Sequence, residues 1–252
     1  MAGEKRTIAV AGGTGTLGAP VVAELRARGH DVRSLSRRSK EFPVDLTTGS
    51  GLAEALGGCQ VLVDASNNSS PRGAKRTLVD GTQRLLEAGR AEGLEHFVSI
   101  SIVGCERAPM SYYKVKTEQE RLVAAGPVPW SIVRATQFHE LVAWAFGTAA
   151  RFRVLPGIPA RLQTVAAAEA GHAVADVAEG HPLRRRFEVA GPEVIDLREL
   201  ARTWRAATGR RALLVPVAIP GRLGRALRDG ALTNEQPDVR GTTTFASWLA
   251  GR

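Results

Sequence analysis

The stretch Thr7-Ile8-Ala9-Val10-Ala11-Gly12-Gly13-Thr14-Gly15-Thr16-Leu17-Gly18 decides how the rest of the chain is read. Thr7–Ala11 is a short apolar run stopped by glycines, the pattern of a strand buried in a parallel sheet. From Leu17 to Arg28 apolar residues recur at helical spacing, and Gly29 supplies the stop. Between the two lies GxxGxxG, with glycines at 12, 15 and 18. Gly12 suits the tight turn off the strand. Gly15 lets backbone approach a pyrophosphate with no side chain in the way, and Gly18 allows close packing of helix on sheet. The helix N-terminus adds free N–H groups and the positive end of its dipole. A second strand, Asp31–Ser36, follows closely. This order predicts a dinucleotide site built from Gly12, Thr14, Gly15, Thr16, Leu17 and Gly18.

The alternation continues. Pro43–Leu46 reads as a third strand and Gly51–Leu56 as a short helix. Gln60–Ala65 is a fourth strand, Ala74–Glu92 a long amphipathic helix and Phe97–Val103 a fifth strand. Tyr112–Ala125 is helical and Trp130–Val133 a sixth strand. The fold class is therefore α/β, a doubly wound parallel sheet of the Rossmann type. After Gln137 the pattern weakens to a helix over Leu141–Ala150, another over Ala166–Glu179 and a strand at Phe187–Ala190. A helix capped by Asp196 then spans Leu197–Thr208, and Ala212–Val217 is strand-like. These pieces predict a nucleotide-binding domain over residues 1–150. A small α+β substrate lobe, residues 151–252, interleaves with it.

The end of the second strand selects the cofactor. An NAD site carries an acid there for the ribose 2′-hydroxyl. This chain carries Ser36-Arg37-Arg38-Ser39-Lys40, so the expected cofactor is NADP(H). Arg37 is the main 2′-phosphate partner, Arg38 is placed to stack on adenine, and Ser36 lies beside them. Asp45 and Leu46 are expected to border the adenine. Ala65, Ser66 and Asn67 are expected beneath the adenine ribose and phosphates.

Tyr112 and Lys116 are four apart on a predicted helix and share a face. A Tyr hydroxyl is a poor acid–base group at its reference pKa of ~10, and a neighbouring ammonium lowers it. The same lysine can reach the nicotinamide ribose. Ser101, at the end of the fifth strand, is placed to hold a substrate carbonyl; Ser99 lies deeper. Gln137, Phe138 and His139 follow the sixth strand and are expected to border nicotinamide and substrate.

The motifs GGTGTLG, SRRSK, SISIVG, YYKVK and RATQFHE resemble the atypical, NmrA-like branch of the short-chain dehydrogenase/reductase superfamily, over residues 7 to about 180. The resemblance implies a Rossmann fold, NADP(H) and a substrate cleft roofed by the C-terminal lobe. It also implies Tyr112 as acid–base with Lys116 as its helper. Relatives that only sense the redox state of NADP usually lack the tyrosine. The leading expectation is an oxidoreductase of a small to medium, mostly apolar carbonyl, quinone or enone. The alternatives are a non-enzymatic NADP(H) sensor and a cofactor-assisted cyclase or epimerase.

Composition bounds the rest. With 252 residues, 44% hydrophobic and 23% charged, the chain is an ordinary globular one, which excludes disorder and a disulfide scaffold. Its two cysteines, Cys59 and Cys105, sit in apolar runs and read as buried hydrophobes; no metal site is expected. The net charge of +9 comes mostly from scattered arginines, with one tight run at Arg184–Arg186 and no nucleic-acid motif, so no nucleic-acid partner is expected. Trp130, Trp144, Trp204 and Trp248 read as core or interface residues. The N-terminus shows no leader pattern, and no run of ~18 apolar residues exists. The expected setting is the cytoplasm, with a small-molecule partner, no membrane, and either a monomer or a homodimer.

Overall fold

The computed structural model describes residues 4–252; Met1, Ala2 and Gly3, the start of the stretch read for a leader, lie outside the described residues. The strands β1 (Thr7–Ala11), β2 (Asp31–Leu35), β3 (Val61–Asp64), β4 (His96–Ile102), β5 (Trp130–Ala135), β8 (Arg186–Ala190) and β11 (Val239–Arg240) form one sheet. Its order is β11-β8-β5-β4-β3-β1-β2, parallel throughout. The fold is Rossmann-like α/β, as the glycine loop and the strand–helix alternation predict. The chain starts in mid-sheet, steps out to β2 and returns to β3. The crevice beyond the carboxyl ends of β1 and β3 is thus a topological switch point, where such sheets bind ligands.

Helices cover both faces because every central strand is apolar on both sides. One layer holds α1 (Gly18–Ala27) and α6 (Ala167–Glu179), whose Val21, Leu25, Ala170 and Val174 pack with Ile8, Val10 and Val98. The other holds α2 (Leu52–Leu56), α3 (Gly81–Ala91) and α4 (Ser111–Ala125), packed around Leu62, Phe97 and Ile132.

Two sequence expectations need correction. Pro43–Leu46 is not a strand of the sheet. It makes only isolated bridges, Ser36 with Pro43 and Asp45 with Ser50. Val44 N donates to the Ser36 carbonyl at 3.2 Å, but Asp45 Oδ1 then turns the chain by accepting from Thr47 N and Oγ1 at 2.8 and 2.7 Å, so β2 remains the sheet edge. The long helix after β3 is also not uniform: Arg76–Asp80 is a π-helical turn that runs into α3.

After α5 (His139–Ala150) come β6 (Val154–Gly157), β7 (Arg161–Leu162), β9 (Ile195–Asp196), α7 (Leu197–Thr208) and β10 (Leu213–Pro216). The lobe is completed by α8 (Gly221–Arg228) and α9 (Phe245–Ala250). Parallel β6–β10 and antiparallel β7–β9 are two-stranded. The lobe has its own apolar core of Phe146, Leu200, Trp204 and Phe245, which also takes in Tyr113 of α4. No residue number divides lobe from sheet cleanly, since α6, β8 and β11 all return to the main layers. Both cysteines are buried and unbonded to each other. Among the described residues no helix is long and apolar enough to cross a membrane.

Candidate active site

Each glycine of the loop answers a different steric demand. Gly12 has φ 72°, and a Cβ there would stand 2.7 Å from the Ala65 carbonyl oxygen and 2.8 Å from Ser66 Cα. Only glycine lets the loop after β1 pass so close to the loop after β3. A Cβ on Gly18 would stand 2.1 Å from the Gly12 carbonyl oxygen, so the close approach is to the loop itself. A Cβ on Gly15 would meet only that same oxygen, at 3.2 Å, and otherwise project into open space. Gly13, passed over in the motif, would drive a Cβ to 2.4 Å from Ser34 Oγ of β2. The Gly12-Gly13 doublet was the available signal. Helix α1 begins with no side-chain cap and no acid in its first turn, which leaves its N-terminal N–H groups to an anionic ligand.

A cleft of about 680 Å³ opens over this loop. It brings together Gly12, Thr14, Gly15, Thr16, Leu17, Ser36, Arg37, Asp45, Leu46, Ala65, Ser66, Asn67, Ser101, Tyr112, Lys116, Gln137 and Phe138, which the sequence had offered from separate segments. Gly18, Arg38 and His139 do not line it. Thr77 of the π-helical turn, Met110, Thr136 and Leu141 line it without having been singled out, since nothing in their local pattern distinguishes them. At the Arg37 end of the cleft the bonds from Thr47 hold the Asp45 carboxyl below its ordinary range, and Arg37 and Arg76 add to the effect. At the other end the Gln137 amide is buried with neither its nitrogen nor its oxygen partnered among the described residues. A donor and an acceptor side by side in the cleft wall suit a ligand carboxamide. Open space at Gly15, the uncapped helix and the orphaned amide together fit a nicotinamide dinucleotide.

The Tyr112–Lys116 pair shares a helix face but is not joined. The Tyr112 hydroxyl donates to Asn67 Oδ1 at 2.8 Å. Burial pushes that hydroxyl up to about 12, with Tyr113 and Cys105 adding to the rise. Lys116 Nζ donates instead to the Ile100 carbonyl at 2.6 Å and to Gln119 Oε1. It is buried, and burial pulls its ammonium below the usual lysine range against the pull of Asp64. Gln119 Nε2 donates to Asp64 Oδ2 at 3.1 Å and to Thr82 Oγ1 at 2.9 Å, and Thr82 donates to Asp64 at 2.9 Å. Asp64 Oδ1 accepts from Ser66 Oγ at 2.6 Å. A satisfied buried network thus ties the lysine to the β3 loop and sets its direction.

Ser101 lines the cleft but is buried, with its Oγ 4.0 Å from Cys105 Sγ. It borders a charge cluster in which Glu120 accepts from Arg134 Nε and Nη2, each at 2.8 Å, and from Arg186 at 2.9 Å. Burial opposes the Glu120 charge, yet bonds from Arg134, Ser101 and Arg186 hold its carboxyl at about 2. The structure corrects the expectation for His139. Its ring nitrogens meet Thr164 Oγ1 at 2.9 Å and the Thr243 carbonyl at 3.0 Å, and it packs on Phe245 and Trp248. It is a core residue tying α5 to the C-terminal segment, turned away from the cleft. Among the described residues no cluster of His, Cys, Asp or Glu could hold a metal.

Comparison with known proteins agrees with this geometry. Residues 12–179 match a protein family described as NAD(P)H-binding. The photosystem II assembly factor Ycf39 of Cyanophora paradoxa is 27% identical over 148 residues, 53% of this chain and 46% of that protein. The chloroplastic divinyl chlorophyllide a 8-vinyl-reductase of Cucumis sativus is 31% identical over 164 residues, 53% of this chain and 39% of that protein. The chain thus spans under half the length of either relative. An NADPH-dependent quinone oxidoreductase of Escherichia coli, solved with NADPH, superposes with a TM-score of 0.74 at 18% identity, covering 97% of this chain and 99% of that one.

Proposed function

Since the chain belongs to the NAD(P)H-binding family, we propose that it is an NADP(H)-dependent oxidoreductase reducing a small to medium, mostly apolar carbonyl, quinone or enone. One observation carries the reading. A single cleft runs from the glycine loop and Arg37 to the Tyr112 hydroxyl, and around Tyr112 it is walled by Ile100, Ile102, Met110, Phe138 and Leu141. Arg37, with no acid at the end of β2, favours the 2′-phosphate of NADP(H) over the bare ribose of NAD. A nicotinamide bound here would supply a hydride, and Gln137 would hold its carboxamide. Tyr112 would donate the proton that completes the reduced product. A hydroxyl held at about 12 stays protonated at neutral pH, which suits a proton donor in reduction better than a base in oxidation. Lys116, facing Ile100 and Gln119, anchors the floor beneath that point. The reductase relatives are consistent with this chemistry.

A second reading rests on the separation of Tyr112 from Lys116. A non-enzymatic NADP(H) sensor needs no activated tyrosine, and here the hydroxyl is engaged by Asn67. NADPH oxidation followed at 340 nm against quinones, ketones and enones, wild type beside Tyr112→Phe, separates the two. Turnover that collapses in the variant establishes the reductase. Tight NADPH binding with no turnover on any compound, together with different affinities for the oxidised and reduced cofactor, favours the sensor.

A further inference from the structure

Among the described residues eight large apolar side chains stand exposed, and seven of them, Leu141 and Trp144 on α5 with Phe152, Val154, Leu213, Val215 and Val217 in the C-terminal lobe, lie in this part of the chain. Phe152 is 77% exposed, Leu213 72% and Trp144 67%. They are not scattered. Leu141, Trp144 and Thr148 fall on one side of α5, at spacings of three and four, and Phe152 follows just past the helix end. Val154 of β6 pairs with Leu213 of β10, and Pro156 with Val215, in a two-stranded sheet whose inner face packs Leu155 and Leu214 on the lobe core and whose outer face is left exposed. Leu141 also lines the cleft, so this apolar strip begins at the cleft mouth.

The far end of the strip is cationic. Arg153, Arg202, Arg205, Arg210 and Arg211 line a groove with Leu213, and no acidic residue shares that lining. Among the described residues none of the five pairs with a carboxylate. Arg153 links the two parts directly, since its carbonyl accepts from Leu213 N at 2.9 Å. Exposed Trp, Phe and Leu beside unpaired arginines make a face with two demands. The rings and aliphatic chains need an apolar layer, and the guanidinium groups need anions at its border. The acyl–headgroup boundary of an anionic bilayer meets both. A second copy of the chain meets only the first, because a two-fold contact would set like charge on like charge.

We propose that the outer face of the C-terminal lobe docks on an anionic lipid bilayer, with Trp144, Phe152 and Leu213 in the headgroup region and the arginine groove on lipid phosphates. The cleft mouth at Leu141 then lies at the bilayer edge, where apolar substrates concentrate. The sequence expectation of no membrane partner rested on spanning segments. A protein that lies on a membrane has none.

The test is flotation of the full chain with vesicles of phosphatidylcholine alone and of phosphatidylcholine mixed with phosphatidylglycerol, at low salt. Flotation with the mixed vesicles only is expected. The double variant Arg210→Ser, Arg211→Ser should weaken it about 30-fold, at about 1 kcal/mol per charge. Arg210→Lys with Arg211→Lys should retain it, and Phe152→Ser with Leu213→Ser should lose it, with NADPH binding as the control for folding. Failure to float with the mixed vesicles, or equal flotation with both kinds, overturns the proposal. So does self-association on sedimentation that Phe152→Ser abolishes, which would put a second copy on this face.

Discussion

Gly15→Ala and Gly18→Ala, three residues apart, should damage the protein in different ways. The Gly18 Cβ would stand 2.1 Å from the Gly12 carbonyl oxygen, against the 3.4 Å at which ordinary contact begins. That oxygen is backbone and already accepts from Gly15 N at 2.8 Å, so the loop has to retreat by more than about 1 Å and disturb that bond. Overpacking of this kind costs typically 1–3 kcal/mol, and with a backbone obstacle we expect about 3. The Gly15 Cβ meets only one atom, at 3.2 Å, and Gly15 is not among the residues with positive φ. Its stability should stay within about 1 kcal/mol of wild type, helped by the smaller entropy of the unfolded chain. The new methyl would instead occupy the approach of the pyrophosphate. Losing one charge-assisted N–H contact, worth about 2 kcal/mol, weakens NADPH about 30-fold. Urea unfolding measures the first quantity and fluorescence titration with NADPH the second. A Gly15→Ala protein that binds NADPH normally, or a Gly18→Ala protein as stable as wild type, would refute the assignment of roles.

Arg37→Ala should weaken NADPH by about 10-fold or more, one charge-assisted contact, while NADH binding barely changes; equal loss for both would remove the 2′-phosphate role. Tyr112→Phe should cut turnover ~10²–10⁴-fold with the cofactor still bound, and retained turnover would make the hydroxyl a mere Asn67 partner. His96 is buried, its Nε2 is 2.8 Å from Ser131 Oγ, and burial lowers its ring to about 4 from the ordinary 6.5. As pH falls from 6.5 towards 4 the unfolded chain takes a proton that the folded chain refuses, so stability drops by up to ~3 kcal/mol. Urea unfolding at pH 7.5 and 5 should show about 2 kcal/mol of that drop in wild type and less of it in His96→Asn; identical pH dependence would exonerate this histidine.

Local pattern was sufficient where structure is local. Thr7–Ala11, the glycine loop and α1 lie as read, because a buried strand, a turn and a helix N-terminus each depend on residues within a few positions. The same holds for β3, β4 and β5, which carry apolar residues on both faces, and for the edge strand β2, which buries Val32 and Leu35. Most residues of the cleft lining were legible for a related reason: the carboxyl ends of parallel strands converge on one edge, whatever the helices between them do.

Tertiary contact decided what spacing could not. Four residues put Tyr112 and Lys116 on one helix face, but Asn67 took the hydroxyl, and Ile100 and Gln119 took the ammonium. Gln119 lies one turn on along the same helix, but Asn67 in the loop after β3 and Ile100 on β4 are invisible to a helical period. His139 looked exposed to a ligand until Thr164 and Thr243, distant in the chain, closed around its ring. Pro43–Leu46 touches β2 at Ser36 and then turns away at Asp45, where Thr47 bonds the carboxylate. The lobe was least legible, since its short strands pair β6 with β10 and β7 with β9 across long gaps. Sequence by itself determined the central parallel strands, the glycine turn after β1 and most of the segments that meet in one cleft. Where each polar group points, and which apolar faces stay uncovered, was left to long-range packing, because a side chain's partner is set by whatever the folded chain brings within about 3 Å of it.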